Sequence, residues 1–184
     1  MNKKYDSLKI ENIVASGVIA KDINLKEISE KIDGCELNTK RFPGAVCRID
    51  KPKMASLIFS SGKVVLTGIQ DESKLNYGFD ILLKSLKKSG VKLLDTPQIK
   101  ITNIVCSYDI GKYINLNKIV ATLSLEAIEY EPEQFPGLVY RVDNPKIVAL
   151  IFSSGKIILT GGKNIEDVRN GLSVLEKHLE NIIK

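Results

Sequence analysis

The strongest constraint on the fold of this chain is that its sequence occurs twice. The segment Ile10-Glu11-Asn12-Ile13-Val14 returns 91 positions later as Ile101-Thr102-Asn103-Ile104-Val105. Residues 42–68 match residues 135–161 at 18 of 27 positions. Two long copies do not make a solenoid, which generally needs three or more short units. The repeat therefore predicts one body with internal pseudo-twofold symmetry, built from a first repeat (1–91) and a second repeat (92–184) that are fused tightly.

Each repeat shows the same order of hydrophobic patterns. In the first repeat a strand is predicted at about 8–18 and a short helix at about 24–33, followed by short segments rich in β-formers. Ser60-Ser61-Gly62 predicts a tight hairpin, so the sheet is expected to be antiparallel there. Amphipathic helices are predicted at about 72–89 and 165–183. The order β-α-β-β-β-β-α, twice, predicts an α+β fold with one continuous antiparallel sheet and its helices on one side.

Strand alternation makes both faces of this sheet largely apolar. If four helices cover one face, the other is an exposed apolar surface fringed by Arg48, Lys63, Arg141 and Lys156. A surface of that kind usually marks a binding site. Two alternatives stay open from periodicity alone. Helices could cover both faces, or a dimer could bury the apolar surface.

The residue types on this candidate face favour the minor groove of A/T-rich DNA. That groove presents only hydrogen-bond acceptors at A·T pairs, and Asn12 and Asn103 can donate to them. Small apolar side chains exclude water and the amino group of guanine. Basic residues at the rim would meet phosphates.

Composition narrows the class of protein further. The formal net charge is +5, and the longest unbroken apolar run is Ile147–Phe152, too short to span a membrane. The N-terminus does not read as a signal peptide, so Cys35, Cys47 and Cys106 are expected to be reduced in an intracellular protein. With His178 as the single histidine and no phosphate-binding loop, the sequence predicts no metal, no cofactor and no enzymatic activity.

The repeated motifs resemble those of the TATA-box-binding proteins, and the archaeal members in particular. They are Phe42-Pro43-Gly44 with Leu57–Lys63 in the first repeat, and Phe135-Pro136-Gly137 with Leu150–Lys156 and Leu159-Thr160-Gly161 in the second. The resemblance runs from about Leu8 to Ile183. It implies a saddle-shaped sheet with helices on the convex side and the concave side on DNA. It also implies a general transcription factor that binds promoter TATA elements in the minor groove and kinks them.

The resemblance implies roles for individual residues at matching positions. The implied set comprises the wedges Phe42, Phe59, Phe135 and Phe152; the base-facing Asn12, Asn103, Thr67 and Thr160; the apolar floor of Val14, Leu57, Val65, Val105, Val148, Leu150 and Ile158; and the phosphate contacts Arg41, Arg48, Lys63, Arg141 and Lys156.

The resemblance also implies partners. The loop with Glu131, Glu133 and Gln134 resembles the segment that docks transcription factor B, although eukaryotic relatives carry Leu at the position of Gln134. Residues 1–91 carry a net charge of +5 and residues 92–184 of zero, so the two ends are expected to meet different partners. RNA polymerase is an indirect partner, and the protein is expected to be cytoplasmic and nucleoid-associated, a monomer on DNA and a possible homodimer when free. The alternatives are a nucleic-acid-binding module of the same fold and a structural dimer, neither with a promoter role.

Overall fold

The computed structural model describes residues 7–123, 125–180 and 182. The chain divides into two compact units. The first unit spans Asn12–Thr102, and the second joins the described residues up to Glu11 to those from Asn103 onward. Along the chain, each repeat has the predicted order of one strand, one helix, four strands and one long helix.

The first repeat forms an antiparallel sheet in the order β2-β3-β4-β5-β1. Asn24 and Asp71 cap the N-termini of its two helices by accepting backbone N–H groups, as their short polar side chains favour. Its elements are β1 (Lys9–Val18), α1 (Leu25–Lys31), β2 (Cys35–Leu37), β3 (Ala45–Asp50), β4 (Lys53–Ile58), β5 (Lys63–Ile69) and α2 (Glu72–Lys88).

The second repeat repeats this topology in the order β6-β10-β9-β8-β7. Helix α4 ends at Leu179, earlier than the predicted 183, and residues 181 and 183 lie outside the described part of the chain. The elements are β6 (Lys100–Asp109), α3 (Leu116–Thr122), a short 3-10 helix (Leu125–Ala127), β7 (Ile128–Glu129), β8 (Leu138–Val142), β9 (Ile147–Ile151), β10 (Lys156–Gly162) and α4 (Ile165–Leu179).

In each unit the helices cover one face of the sheet. Strand residues alternate between fully buried and half-buried along β4, β5, β9 and β10, so the buried half points toward the helices. The long helices lie very close to the strands. A Cβ added at Gly78 would overlap Met54, and one at the equivalent Gly171 would stand 2.6 Å from Ile147 Cγ1. Glycine at these helix positions lets the helix backbone approach the sheet closely.

The structure corrects the expectation that all three cysteines are reduced. Strands β2 and β3 are antiparallel, and their register sets Cys35 directly opposite Cys47, where the two form a disulfide. Cys106 is free and buried. The sequence alone could not show this pair, because it depends on the register of a three-residue edge strand. In the described part of the chain, no helix is both long and apolar enough to cross a membrane.

Candidate nucleic-acid interface

The helix-free face of the first repeat carries two rows of side chains that run across its strands. The apolar and hydroxyl-bearing residues on this face are half-buried, between buried neighbours that face the helices. Strand register places Leu57 between Val46 and Val65, and Ala55 between Arg48 and Thr67. Val46, Leu57 and Val65 therefore form an apolar row. Beside it lies a second row, of Arg48, Ala55 and Thr67, which we call the cation row.

The second repeat presents the same two rows at equivalent positions. Leu150 lies between Val139 and Ile158, and Val148 lies between Arg141 and Thr160. In each repeat the register brings together, on the helix-free face, the predicted floor residues of the paired strands. Val14 and Val105, one strand further in, alternate with buried neighbours and are half-buried on the same face.

Each repeat holds one asparagine in a fixed orientation. Asn12 Oδ1 accepts the backbone N–H of Gly68 at 2.7 Å, and Asn12 Nδ2 lies 3.0 Å from Thr67 Oγ1. In the second repeat Asn103 Oδ1 accepts the N–H of Gly161 at 2.7 Å, and Nδ2 lies 3.1 Å from Thr160 Oγ1. Because a backbone N–H can only donate, it must face the amide oxygen. The NH₂ group, which carries two hydrogens, therefore points toward the threonine and away from the glycine.

A β-bulge makes this arrangement possible. The pairing of β1 with β5 shifts between Ile13–Ile69 and Ala15–Leu66, so β5 carries one extra residue there. Gly68 lies in the bulge with a φ of 91°, which an L side chain rarely adopts. Its N–H is turned out of the ladder toward the asparagine. The same shift occurs between β10 and β6, around Gly161 with a φ of 106°.

Two phenylalanines form an edge-to-face pair in each repeat. The ring centroids of Phe42 and Phe59 are 5.4 Å apart at an interplanar angle of 61°. Those of Phe135 and Phe152 are 5.8 Å apart at 69°. Phe135 is 37% exposed although it is fully apolar. The structure thus brings each predicted wedge pair together and leaves part of its apolar surface to solvent.

A tight turn and a glycine shape the support of each pair. Asn38 O accepts the N–H of Phe42, and Glu131 O accepts the N–H of Phe135, both at 3.0 Å. A Cβ at Gly44 would stand 2.8 Å from the Phe42 ring, which shows how closely the ring lies over the glycine backbone. At Gly137 the same atom would stand 2.7 Å from the Phe135 ring. The Phe-Pro-Gly motif therefore folds the ring back over its own turn.

The predicted phosphate contacts are of two kinds. Lys63, Lys156 and Arg41 are exposed. The two arginines of the cation rows are paired within the protein. Arg48 Nη1 lies 3.5 Å from Glu36 Oε2, and Arg141 Nη2 lies 2.9 Å from Glu129 Oε1. All four side chains of these pairs are more than half exposed, so each ion pair is weak and exchangeable.

The predicted partner loop is separate from the DNA-facing rows. Glu131, Glu133 and Gln134 are exposed and, with Pro132, line a shallow depression on the surface. Nothing in the described residues ties their side chains to the rows of the helix-free face. Glu129, by contrast, contributes less free negative charge to this region than the sequence suggests, because Arg141 is bound to it.

Sequence reasoning missed several residues on the same face. Ser16 pairs with Val65 and Ser107 with Ile158, so each serine extends an apolar row by one strand. Val46 and Val139 end the same rows on the other side. Strand alternation alone could have placed these residues on the face, but only the register shows that they lie in one row with Leu57 and Leu150.

Comparisons with known proteins agree with this geometry. The family model for transcription factor TFIID, or TATA-binding protein, matches residues 7–89 and 98–182. TATA-box-binding protein 2 of Methanosarcina mazei is 48% identical over 176 residues, covering 96% of each chain. TATA-box-binding protein of Archaeoglobus fulgidus is 48% identical over 175 residues, covering 95% of this chain and 96% of the relative.

A solved structure supports the same assignment. The TATA-binding protein of Methanococcus jannaschii superimposes with a TM-score of 0.84 at 42% identity, covering 96% of this chain and 99% of that one. This match confirms the predicted α+β fold with two repeats. The family consists of transcription factors and not of enzymes, as the sequence indicated. The chain described here therefore belongs to the TATA-binding protein family.

Proposed function

We propose that this protein is a general transcription factor that binds the minor groove of A/T-rich TATA elements, with repeats 1–91 and 92–184 each reading one half of the element. The observation that carries this proposal is the duplicated asparagine held by a bulge. Each amide presents an NH₂ donor beside a hydroxyl, within an apolar surface that no helix covers. The relatives named above bear the same function in their names.

The chemistry of the groove matches this surface. A·T pairs present only the acceptors adenine N3 and thymine O2 in the minor groove, while a G·C pair adds the donor N2 amino group. Asn12 and Asn103, with Thr67 and Thr160, supply donors for those acceptors. The apolar rows around Leu57 and Leu150 leave the guanine amino group without an acceptor, so G·C pairs are disfavoured.

The phenylalanine pairs act as wedges in this proposal. Apolar side chains inserted between base steps unstack them and kink the duplex toward the major groove. Phe42 with Phe59, and Phe135 with Phe152, form edge-to-face apolar pairs in each repeat. Unstacking costs a few kcal/mol per step, and the contacts that the bent duplex makes with the apolar rows offset this cost.

Phosphate contacts complete the mechanism. Lys63 and Lys156 can meet phosphates directly, whereas Arg48 and Arg141 first exchange a carboxylate for a phosphate. Neutralised phosphates release counterions, so affinity falls steeply as salt rises. The arginines therefore contribute less to net affinity than two free cations would, because the carboxylates of Glu36 and Glu129 compete with DNA.

The test is a gel-shift and bending assay on two duplexes, one with a TATA-like element and one with the same element substituted by G·C pairs. The wild type is compared with Phe42→Ala/Phe59→Ala. Tyr77→Ala is the matched control, because Tyr77 is 61% exposed on helix α2, away from the helix-free face. Wild type and control are expected to bind and bend only the A/T duplex, and the double variant to bend it less.

Two results would contradict the proposal. Equal binding of both duplexes would show that the asparagine and threonine donors do not select A·T pairs over G·C pairs. Binding of neither duplex, with a stable dimer in solution, would favour the structural alternative in which a second copy buries the apolar face. We also propose that the protein is nucleoid-associated and binds DNA as a monomer.

We further propose that the second repeat docks transcription factor B, and through it RNA polymerase, by the loop of Glu131, Glu133 and Gln134. These exposed carboxylates have no cation paired with them among the described residues, which suits a basic partner. Glu131→Lys/Glu133→Lys is expected to weaken this recruitment and leave binary DNA binding intact. Glu30→Lys/Asp80→Lys makes the same change in charge at exposed sites in the first repeat and serves as the control.

A further inference from the structure

The two repeats differ at the base of their phenylalanine loops, which are residues 38–44 in the first repeat and residues 131–137 in the second. In the first repeat Cys35 on β2 faces Cys47 on β3, and the two are joined. The equivalent cross-strand pair in the second repeat is Ile128 with Tyr140. The first repeat therefore has a covalent link where the second has an apolar contact.

The strand register sets the two cysteines side by side. Arg48 donates its N–H to Gly34 O at 2.9 Å, so the neighbouring pair of Cys35 and Cys47 occupies a non-hydrogen-bonded position of the ladder. Side chains lie closest at such positions. Both side chains point to the helix-covered face. Two reduced thiols at these positions would already be in contact.

The link closes the loop that carries a proposed DNA wedge. Between the two cysteines the chain leaves β2, forms the turn of residues 38–44 (the Phe42 loop) and returns as β3. Without the bond, the three pairs of β2 with β3 hold the base of this loop, together with the packing of Phe42 on Phe59. Since β2 is a three-residue strand at the edge of its sheet, it is the part of the sheet that opens most easily.

We propose that Cys35 and Cys47 form a reversible thiol–disulfide pair whose oxidation state sets how rigidly the first repeat presents Phe42 to DNA. The inference rests on the proposed wedge role of Phe42. The oxidant of the cysteine pair would be a small disulfide of the class of oxidised glutathione, and the reductant would be a dithiol.

The exchange steps balance as follows. In oxidation, one cysteine thiolate attacks a disulfide RSSR and releases RS⁻, which leaves a mixed disulfide. The second thiolate attacks the cysteine sulfur of that mixed disulfide and releases the other RS⁻. The protein loses two protons and two electrons, and RSSR becomes two RSH. Reduction by a dithiol runs the same steps in reverse.

The difference in burial between the two cysteines determines which sulfur a reductant attacks first. Cys35 is 9% exposed and Cys47 2% exposed. Cys35 lies on the edge strand, so a reducing thiolate reaches its sulfur first, and the Cys47 thiolate leaves. The pair thus needs only local opening of β2 and α1, not unfolding of the repeat. The second repeat has no such pair, so the device acts on one end of the DNA element alone.

The experiment uses the full chain, equilibrated either with oxidised glutathione or with dithiothreitol. Thiols are counted by maleimide mass shift after denaturation, with one expected in the oxidised protein and three in the reduced protein. Dissociation from a TATA duplex is then measured by stopped flow. Oxidised protein is expected to dissociate roughly threefold to tenfold more slowly, the scale on which ordering one or two side chains beforehand changes affinity. Cys35→Ser is expected to abolish the difference, and Cys106→Ser to keep it.

Amide exchange separates this inference from the wedge role. Residues 38–44 are expected to exchange faster in the reduced protein, while the matched residues 131–137 are unchanged. If Phe42→Ala does not reduce bending, the wedge role of Phe42 fails. Redox-dependent amide exchange confined to residues 38–44 would still show that the Cys35–Cys47 pair controls the rigidity of this loop. Three thiols after oxidation, equal exchange in both states, or equal dissociation of protein shown to be oxidised would each overturn the inference.

Discussion

The two repeats agree on the face that we propose for DNA and differ at its edges. Bulge, asparagine, threonine and phenylalanine pair occur in both at equivalent positions. The tips of the two phenylalanine loops are opposite in charge, with Lys40 and Arg41 in the first repeat and Glu131 and Glu133 in the second. The near-symmetric DNA element that we propose as ligand would account for the first observation. The different protein partners that we propose for the two repeats would account for the second.

The same contrast exists inside the two units. Ser56 occupies the buried position that Ala149 holds in the second repeat, and Cys106 occupies the buried position that Ala15 holds in the first. Each unit therefore carries one polar or ionisable group in its core where the other has a methyl group. Replacing residues of one repeat by their equivalents in the other tests which differences matter.

The largest effect is expected from the asparagines. In Asn12→Asp or Asn103→Asp, a carboxylate oxygen still accepts the glycine N–H, so the bulge survives. The other oxygen replaces a donor and faces the acceptors of the groove. Each variant is expected to lose roughly fivefold to 150-fold in affinity for a TATA duplex, from about 1–3 kcal/mol per lost base contact.

Titration by fluorescence anisotropy measures this change, and Asn76→Asp, exposed on α2, is the control for added charge. Equal losses at Asn12 and Asn103 would show that both repeats read bases in the same way. Unchanged affinity for either variant would break the equivalence of the two repeats and remove that asparagine from the reading of bases.

The next effect distinguishes the two Phe-Pro-Gly turns. A Cβ at Gly44 would lie 2.7 Å from Ile58 O, a backbone atom, as well as against Phe42. The heavy atoms nearest to a Cβ at Gly137 belong to the rings of Phe135 and Phe152, at 2.7 and 3.0 Å. Gly44→Ala is therefore expected to lower the free energy of unfolding by about 1–3 kcal/mol. Gly137→Ala is expected to cost less stability, because rings can rotate, but to displace its wedge.

Urea unfolding measures the first effect, and the rate of dissociation from a bent duplex measures the second. If Gly137→Ala destabilises the protein as much as Gly44→Ala, the rings of the second repeat are held as firmly as backbone, and the contrast between the turns fails.

Much of this architecture could be predicted from sequence because the repeat doubles every signal. Periodicity of two and 3.6 placed the strands and helices, and the Ser-Ser-Gly turns fixed the hairpins. The family resemblance named the two phenylalanine pairs. What periodicity could not give was register. Pairings such as Arg48 with Ala55 and Cys35 with Cys47 depend on which residues lie opposite each other, and a shift of one residue changes them all.

The sequence could not predict the ion pairs of the arginines or the β-bulges, because neither leaves a periodic pattern in the sequence. Arg141 was predicted to contact a phosphate, yet its ion pair with Glu129 follows from the neighbouring edge strand. The orientation of Asn12 depends on an extra residue in β5 that turns one N–H out of the ladder. The roles of these residues on DNA remain predictions.

A smaller effect is expected in the core of the first repeat. The hydroxyl of Ser56 is buried without a hydrogen-bond partner among the described residues. Because an unsatisfied buried hydroxyl destabilises the folded state, Ser56→Ala is expected to raise the free energy of unfolding by about 1 kcal/mol. Ala149→Ser, the reverse exchange in the second repeat, is expected to lower it. Thermal unfolding of both variants is the check, and a loss of stability in Ser56→Ala would mean that the hydroxyl is satisfied.

The last effect distinguishes the repeats only in alkali. Burial, reinforced by the nearby charge of Glu11, raises the pKa of the Cys106 thiol from its ordinary value of 9.0 to about 11. A raised thiol pKa contributes stability that is fully present below pH 9 and is lost as the pH rises through about 11, because the unfolded chain ionises first.

Cys106→Ala gives the second repeat the residue of the first, so the stability of this variant is expected to fall less steeply between these pH values. Urea unfolding of both proteins in reductant at pH 7, 9, 10 and 11 measures the difference, since the remaining thiols and tyrosines contribute equally to both. Parallel curves would show that Cys106 ionises as readily in the folded protein as in the unfolded chain, and that its burial does not distinguish the two cores.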